Sequence, residues 1–145
     1  MKRQLNILMA EDSPSDAELA REAFRNDDLD IALTIVGDGV EAMEYMNACG
    51  GDSSRPFPDL ILLDLNMPRK DGKTVLRELK SNDTFKLVPV VILTTSQSEE
   101  DITQSYELAA SCYISKPMEF DKFVDTAKAI KDFYFSVAQL PPRAR

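Results

Sequence analysis

Asp59-Leu60-Ile61-Leu62-Leu63-Asp64-Leu65-Asn66-Met67-Pro68 decides how this chain folds. The unbroken aliphatic run has no polar alternation, which is the pattern of a parallel strand covered on both faces. It closes on Asp64, so a carboxylate stands where the strand leaves the sheet. Open α/β sheets bind ligands beyond the carboxyl ends of their strands. A second run, Ile7-Leu8-Met9-Ala10, closes the same way on Glu11-Asp12. Three acids delivered to one rim repel one another unless a cation sits among them, which predicts a divalent metal site.

Working outward, strand and helix signals alternate along the whole chain. Leu5 to Ala10 reads as the first strand. Ser13-Pro14-Ser15-Asp16 opens a helix, with Ser13 as N-cap and Ala17, Ala20 and Phe24 on its buried side. Ile31 to Val36 is a β-branched second strand, and Asp38-Gly39-Val40-Glu41 caps a helix through Ala48. Cys49 to Pro58, rich in Gly, Ser and Pro, reads as a loop. After the Leu60 to Asp64 strand come a turn with Pro68 and Asp71-Gly72 and a helix from about Lys73 to Ser81. Val88 to Leu93 is a fourth strand ending on Thr94-Thr95-Ser96, and Ser98-Glu99-Glu100-Asp101 caps a fourth helix. Cys112 to Ser115 is a short fifth strand before Lys116-Pro117. The last helix, about Glu119 to Phe135, places Phe120, Phe123, Val124, Ala127 and Ile130 on one face. Five strand-helix pairs predict an α/β fold with a doubly wound, five-stranded parallel sheet of flavodoxin-like type.

Composition narrows the function. At 145 residues the chain is one domain, residues 1–145, with a tail at 136–145 too short to form an effector domain. Lys+Arg 17 against Asp+Glu 25 gives a net charge of −8, which offers nothing to a phosphate backbone and argues against direct nucleic-acid binding. No stretch reaches membrane-spanning length, and Met1-Lys2-Arg3-Gln4 leads into a strand rather than a signal peptide, so a cytoplasmic location is expected. Cys49 and Cys112 lack metal-ligand spacing and are expected reduced and partly buried. Histidine is absent, which removes the commonest general base.

Glu11-Asp12, Asp64, Thr94 and Lys116 gather at the strand ends: acid, acid, hydroxyl and ammonium. A hard cation such as Mg²⁺ takes a few oxygen ligands and is commonly completed by a phosphate oxygen. With Lys116 and Thr94 meeting further phosphoryl oxygens, the set suits phosphoryl transfer. Asp64 is the candidate nucleophile, since a carboxylate accepts a phosphoryl group as an acyl phosphate.

Through Glu11-Asp12, Asp64-Leu65-Asn66-Met67-Pro68, Asp71-Gly72, Thr94 and Lys116-Pro117, the chain closely resembles response-regulator receiver domains over nearly its whole length. The resemblance implies phosphorylation of Asp64 from the histidine of a sensor kinase. It implies Mg²⁺ held by Asp12, Asp64 and the backbone carbonyl of Asn66, with Glu11 assisting mainly through water. It further implies a relay in which the Thr94 hydroxyl turns toward the phosphoryl group and Tyr113 turns inward behind it, and a cis bond between Lys116 and Pro117. The loop Cys49 to Pro58, Leu93-Thr94-Thr95-Ser96 and the tail from Asp132 to Pro141 resemble the single-domain regulators paired with cyanobacterial phytochromes and bacteriophytochromes. Such a protein is a self-phosphorylating and autodephosphorylating switch rather than an enzyme acting on a separate substrate. Its output runs through a partner, self-association or onward phosphotransfer.

Simpler readings compete at several positions. Tyr113 also fits a half-buried sheet aromatic, and Arg21 and Glu22, candidates for kinase recognition, fit a solvated helix face equally well. Phe133, Tyr134 and Phe135 are consecutive, so one helical stripe does not bury all three. Core packing is the simplest account of Phe133, while Tyr134 and Phe135 are the better candidates for a homodimer contact. Thr95 follows the hydroxyl where the family has a small residue, and its bulk is expected to slow phosphoryl entry or hydrolysis. A haloacid-dehalogenase-type phosphatase needs a second Asp where Asn66 stands, and a flavin binder wants uncharged donors where Glu11-Asp12 stand. An unphosphorylated pseudo-receiver, acting only as an interaction module, is disfavoured by the intact Glu11, Asp12, Asp64, Thr94 and Lys116.

Overall fold

In the computed structural model, which describes residues 4–25, 29–49 and 55–142, the strands are β1 (Leu5–Ala10), β2 (Ile31–Val36), β3 (Leu60–Leu63), β4 (Val90–Thr94) and β5 (Cys112–Ser115). The helices are α1 (Pro14–Ala23), α2 (Gly39–Ala48), α3 (Gly72–Lys80), α4 (Glu99–Glu107) and α5 (Phe120–Asp132). All strand pairings are parallel, in the order β2-β1-β3-β4-β5. The order reverses between β1 and β3, and the crevice at their carboxyl ends is where such sheets bind ligands. Residues 50–54 of the expected loop and 143–145 of the expected tail lie outside the described residues.

The aliphatic runs are continuous because successive side chains serve two different cores. Leu8, Ala10, Ile61, Leu63, Val90 and Ile92 pack with residues of α2 and α3, including Met46, Val75 and Leu79. Ile7, Met9, Leu60, Leu62, Val91 and Leu93 pack on the other face with α1 and α5, through Ala20, Phe24, Phe123, Ala127 and Ile130. Each of α1 to α4 starts at a capping side chain: Ser13, Asp38, Asp71 and Ser98 accept from the backbone N–H three residues on. Asp71-Gly72 is therefore the start of α3 rather than a turn before it. The fourth strand begins at Val90, two residues later than expected, because Pro89 has no N–H to give to a ladder.

The end of α5 departs most from expectation. The α-helix stops at Asp132 and continues as a five-residue π-helical segment, Phe133–Val137, closed by the Ala138 N–H donating to the Phe133 carbonyl at 2.7 Å. Tyr134, not Phe133, belongs to the core: Tyr134 is 9% exposed and Phe133 52%, with Phe135 partly buried at the edge of the same core. The stripe Phe123, Ala127, Ile130 continues by four residues to Tyr134, which leaves Phe133 on the outside, edge-on to the Tyr134 ring at 5.0 Å. Phe120, expected on the buried stripe, is 47% exposed. It stands in the first turn of α5, beyond the end of β5. Lys131 is buried, and its ammonium donates to the carbonyls of Ala23 (3.2 Å) and Arg25 (3.3 Å), closing the C-terminal end of α1.

The candidate phosphoacceptor site

The Asp64 carboxylate is held by backbone before any side chain reaches it. The Asp64 N–H donates to the Ala10 carbonyl at 3.2 Å, tying the end of β3 to the end of β1. The Gly72 N–H donates to the Leu65 carbonyl at 2.9 Å, bringing the start of α3 onto the loop. A Cβ on Gly72 would lie 2.3 Å from the Asp64 carbonyl oxygen, so only glycine permits that approach. Asp38 caps α2 and pairs with the Arg69 guanidinium at 2.8 Å, and the hydrogen bond from Arg69 holds the Asp38 carboxyl below its ordinary range.

Thr94, Asn66, Lys116 and Glu11 converge around Asp64. The Thr94 hydroxyl, fully buried at the end of β4, donates to Asp64 Oδ1 at 2.9 Å, and the Asn66 N–H donates to the same oxygen at 3.1 Å. Lys116 donates to Asp64 Oδ2 at 3.0 Å and to Glu11 Oε1 at 2.5 Å. It also reaches Asp16 Oδ2 at 3.0 Å, a residue that the sequence places only at the opening of the first helix. The available signal was position: Asp16 lies in the first turn of α1, four residues after Asp12.

Burial by itself would lower the Lys116 pKa, but the hydrogen bond to Glu11 and the charge and hydrogen bond of Asp64 outweigh it, so the ammonium is raised and stays charged. Glu11 is harder to ionise than an ordinary glutamate, because burial outweighs the help it receives from Lys116 and the Ser13 N–H. The side chains of Lys116 and Glu11 are 5% and 1% exposed, so their ion pair is not screened as a surface pair would be.

Carboxylate oxygens of Glu11, Asp12 and Asp64 lie within 4.8 Å of one another, with Asp12 exposed and the other two buried. An all-oxygen donor set open to water on one side suits a hard divalent cation, with water or phosphate completing its shell. Lys116 alone leaves the cluster under-compensated, which favours a further cation.

Tyr113 is partly buried on β5, and its hydroxyl donates to the Ser96 carbonyl at 3.0 Å. The Lys116-Pro117 bond is trans, not cis; no cis peptide occurs among the described residues, and trans is the ordinary form even before proline. Cys49 and Cys112 are free and partly buried, as expected. Thr95 is exposed at the rim.

A parallel sheet reversing at β1/β3, with an acid just past β3 held by a hydroxyl of β4 and an ammonium after β5, is the arrangement expected of a two-component receiver domain. The model of the response regulator receiver domain matches residues 7–128. Response regulator Rcp1 of Synechocystis sp. is 41% identical over 135 residues, covering 93% of this chain and 92% of its own length. The crystal structure of the phosphorylated cyanobacterial phytochrome response regulator RcpA superposes with a TM-score of 0.91 at 42% identity, covering 97% of this chain and 100% of that one. The Mn²⁺-bound form of Rcp1 superposes with a TM-score of 0.87 at 40% identity, covering 95% and 99%. The chain belongs to the response regulator receiver family.

Proposed function

We propose that Asp64 accepts a phosphoryl group from the histidine of a sensor kinase, and that the kinase is of the phytochrome type. The observation that carries the chemistry is the convergence of the Thr94 hydroxyl and the Lys116 ammonium on the two oxygens of Asp64. An Asp64 oxygen attacks phosphorus, an O–P bond forms, the N–P bond of the phosphohistidine breaks, and the imidazole leaves with the bonding pair and takes up a proton. Lys116 and Thr94, already at the carboxylate, meet the incoming phosphoryl oxygens as charge moves onto them. Glu11, Asp12, Asp64 and the Asn66 carbonyl would hold Mg²⁺, which when bound neutralises charge on the transferring group. The protein acts as a switch that modifies itself rather than as an enzyme with a separate substrate.

Negative charge on Asp64 then shifts an existing equilibrium of the β4, α4 and β5 surface, with Thr94 and Tyr113 as the moving side chains. Output runs through protein contacts, including a homodimer in which the exposed Phe133 and the half-covered Phe135 are the contact residues at the end of α5; Tyr134 supports them from the core. The reading places the protein in the cytoplasm, and among the described residues no helix is long and apolar enough to cross a membrane. The photoreceptor pairing rests on similarity to Rcp1 and RcpA. Phosphotransfer from an autophosphorylated phytochrome-type kinase, compared with a histidine kinase lacking a photosensory domain, tests it. Transfer much faster from the phytochrome-type kinase is expected; equal rates from both would overturn the pairing while leaving Asp64 as the acceptor.

A further inference from the structure

Beyond Asp64 itself, a circuit of hydrogen bonds and short chain links runs around the open pocket of about 360 Å³ beside it, which is lined by Leu65, Asn66, Met67, Asp71, Lys73 and Asp101. From Asp64 the circuit passes to Thr94 and then along the short connection to Ser96. The Ser96 hydroxyl donates to Asp101 Oδ2 at 2.5 Å. The other carboxylate oxygen, Oδ1, accepts from the Lys73 ammonium at 2.5 Å, and Lys73 also donates to Gln104 Oε1. Lys73 follows Gly72, whose backbone rests on Asp64 and Leu65 and so returns to the start.

Asp101 is thus engaged at every polar atom. Its N–H donates to Ser98 Oγ and its carbonyl accepts from the buried Ser105 hydroxyl. An i,i+4 pair on a solvated helix face would show none of this closure, and Lys73 and Asp101 lie 28 residues apart on different helices. The same Ser96 that donates to Asp101 accepts, through its carbonyl, from the Tyr113 hydroxyl. One carboxylate on α4 therefore holds the Ser96 side chain, and the Ser96 carbonyl in turn holds the Tyr113 hydroxyl.

We propose that Asp101, held by Lys73, is a positioning residue for the acceptor site: it latches Ser96 so that Thr94 on one side and Tyr113 on the other are set before any modification of Asp64. Asp101 touches neither Asp64 nor an incoming group, and it acts through the loop. The functional consequence rests on the acceptor reading given above; the mechanical claim does not.

The test follows Tyr113 ring signals by NMR in selectively labelled, unmodified protein, with Asp101→Ala, Lys73→Met, Ser96→Ala and the Ser96→Ala/Asp101→Ala double variant. Each single variant is expected to move the Tyr113 signals in the same direction, and the double variant no further than either alone, because both act on one link. Lys73→Met leaves the α4 cap intact, so it reports on the latch even where Asp101→Ala unsettles the helix. Unchanged Tyr113 signals in Lys73→Met and Asp101→Ala, or additive effects in the double variant, would overturn the latch. Adduct formation from a small phosphodonor is expected to slow several-fold and non-additively in the same set. Wild-type protein that never labels would count against the acceptor reading alone, because the Tyr113 signals need no donor.

Discussion

Removing the Lys116 ammonium would leave Glu11 and Asp64 facing each other, both buried, with no counter-charge between them. Breaking a buried ion pair by deleting one partner costs about 3–5 kcal/mol, against roughly 1 kcal/mol or less for exposed pairs. Lys116→Met is therefore expected to lose about 3 kcal/mol at neutral pH. Urea unfolding with and without Mg²⁺ checks it, and Mg²⁺ should recover part of the loss in the variant. A loss no larger than that of the exposed Lys86→Met would contradict the assignment. At this scale the sequence was legible through the constellation rather than through any one residue, because Asp64 alone would pass for a solvated strand-end acid and Lys116 alone for a surface lysine. Asp16 was not, since its reach to Lys116 depends on where α1 meets the rim. Nor was the isomer at Pro117, which tertiary context decides rather than local preference.

At the scale of elements, caps read well and faces less so. Ser13, Asp38 and Ser98 were legible because a side-chain acceptor before an acidic first turn is a local device. Asp38 also carries a pH dependence. Its pKa is lowered from 3.8 by the Arg69 hydrogen bond, so its contribution to stability is present above 3.8 and is lost as pH falls through the lower folded value. In Asp38→Asn that part of the acid loss should vanish, and melting temperatures measured from pH 5 to pH 2 should fall less steeply than in the parent; an unchanged slope would contradict it. Which aromatic at the end of α5 enters the core was misread, because three in a row offer no periodicity among themselves. Extending Phe123, Ala127 and Ile130 by four residues selects Tyr134, and the structure agrees. Burial also pushes the Tyr134 hydroxyl up to about 12, so it stays neutral at ordinary pH. Tyr134→Ala should cost about 3 kcal/mol and Phe133→Ala within about 0.5 kcal/mol, read from monomer unfolding at low concentration. The reverse order would put Phe133 back in the core.

For the molecule as a whole, strand order converts separate sequence signals into one site. Neither Glu11-Asp12 nor Asp64 specifies its neighbour, but a β2-β1-β3-β4-β5 sheet puts the ends of β1 and β3 side by side and β4 and β5 next in line. The doubly wound parallel sheet was legible from five strand-helix pairs, whereas the order of its strands comes from the structure, because several orders satisfy the same alternation. The circuit through Lys73, Asp101 and Ser96 was not, because it joins three elements by side chains whose spacing along the chain carries no signature. Intact mass after incubation with Mg²⁺ and a small phosphodonor, beside Asp64→Asn and metal-free samples, tests the central claim most directly. A single Mg²⁺-dependent phosphoryl adduct that disappears in Asp64→Asn is predicted. An adduct that persists in Asp64→Asn, or none in folded protein while a control receiver labels, would contradict it.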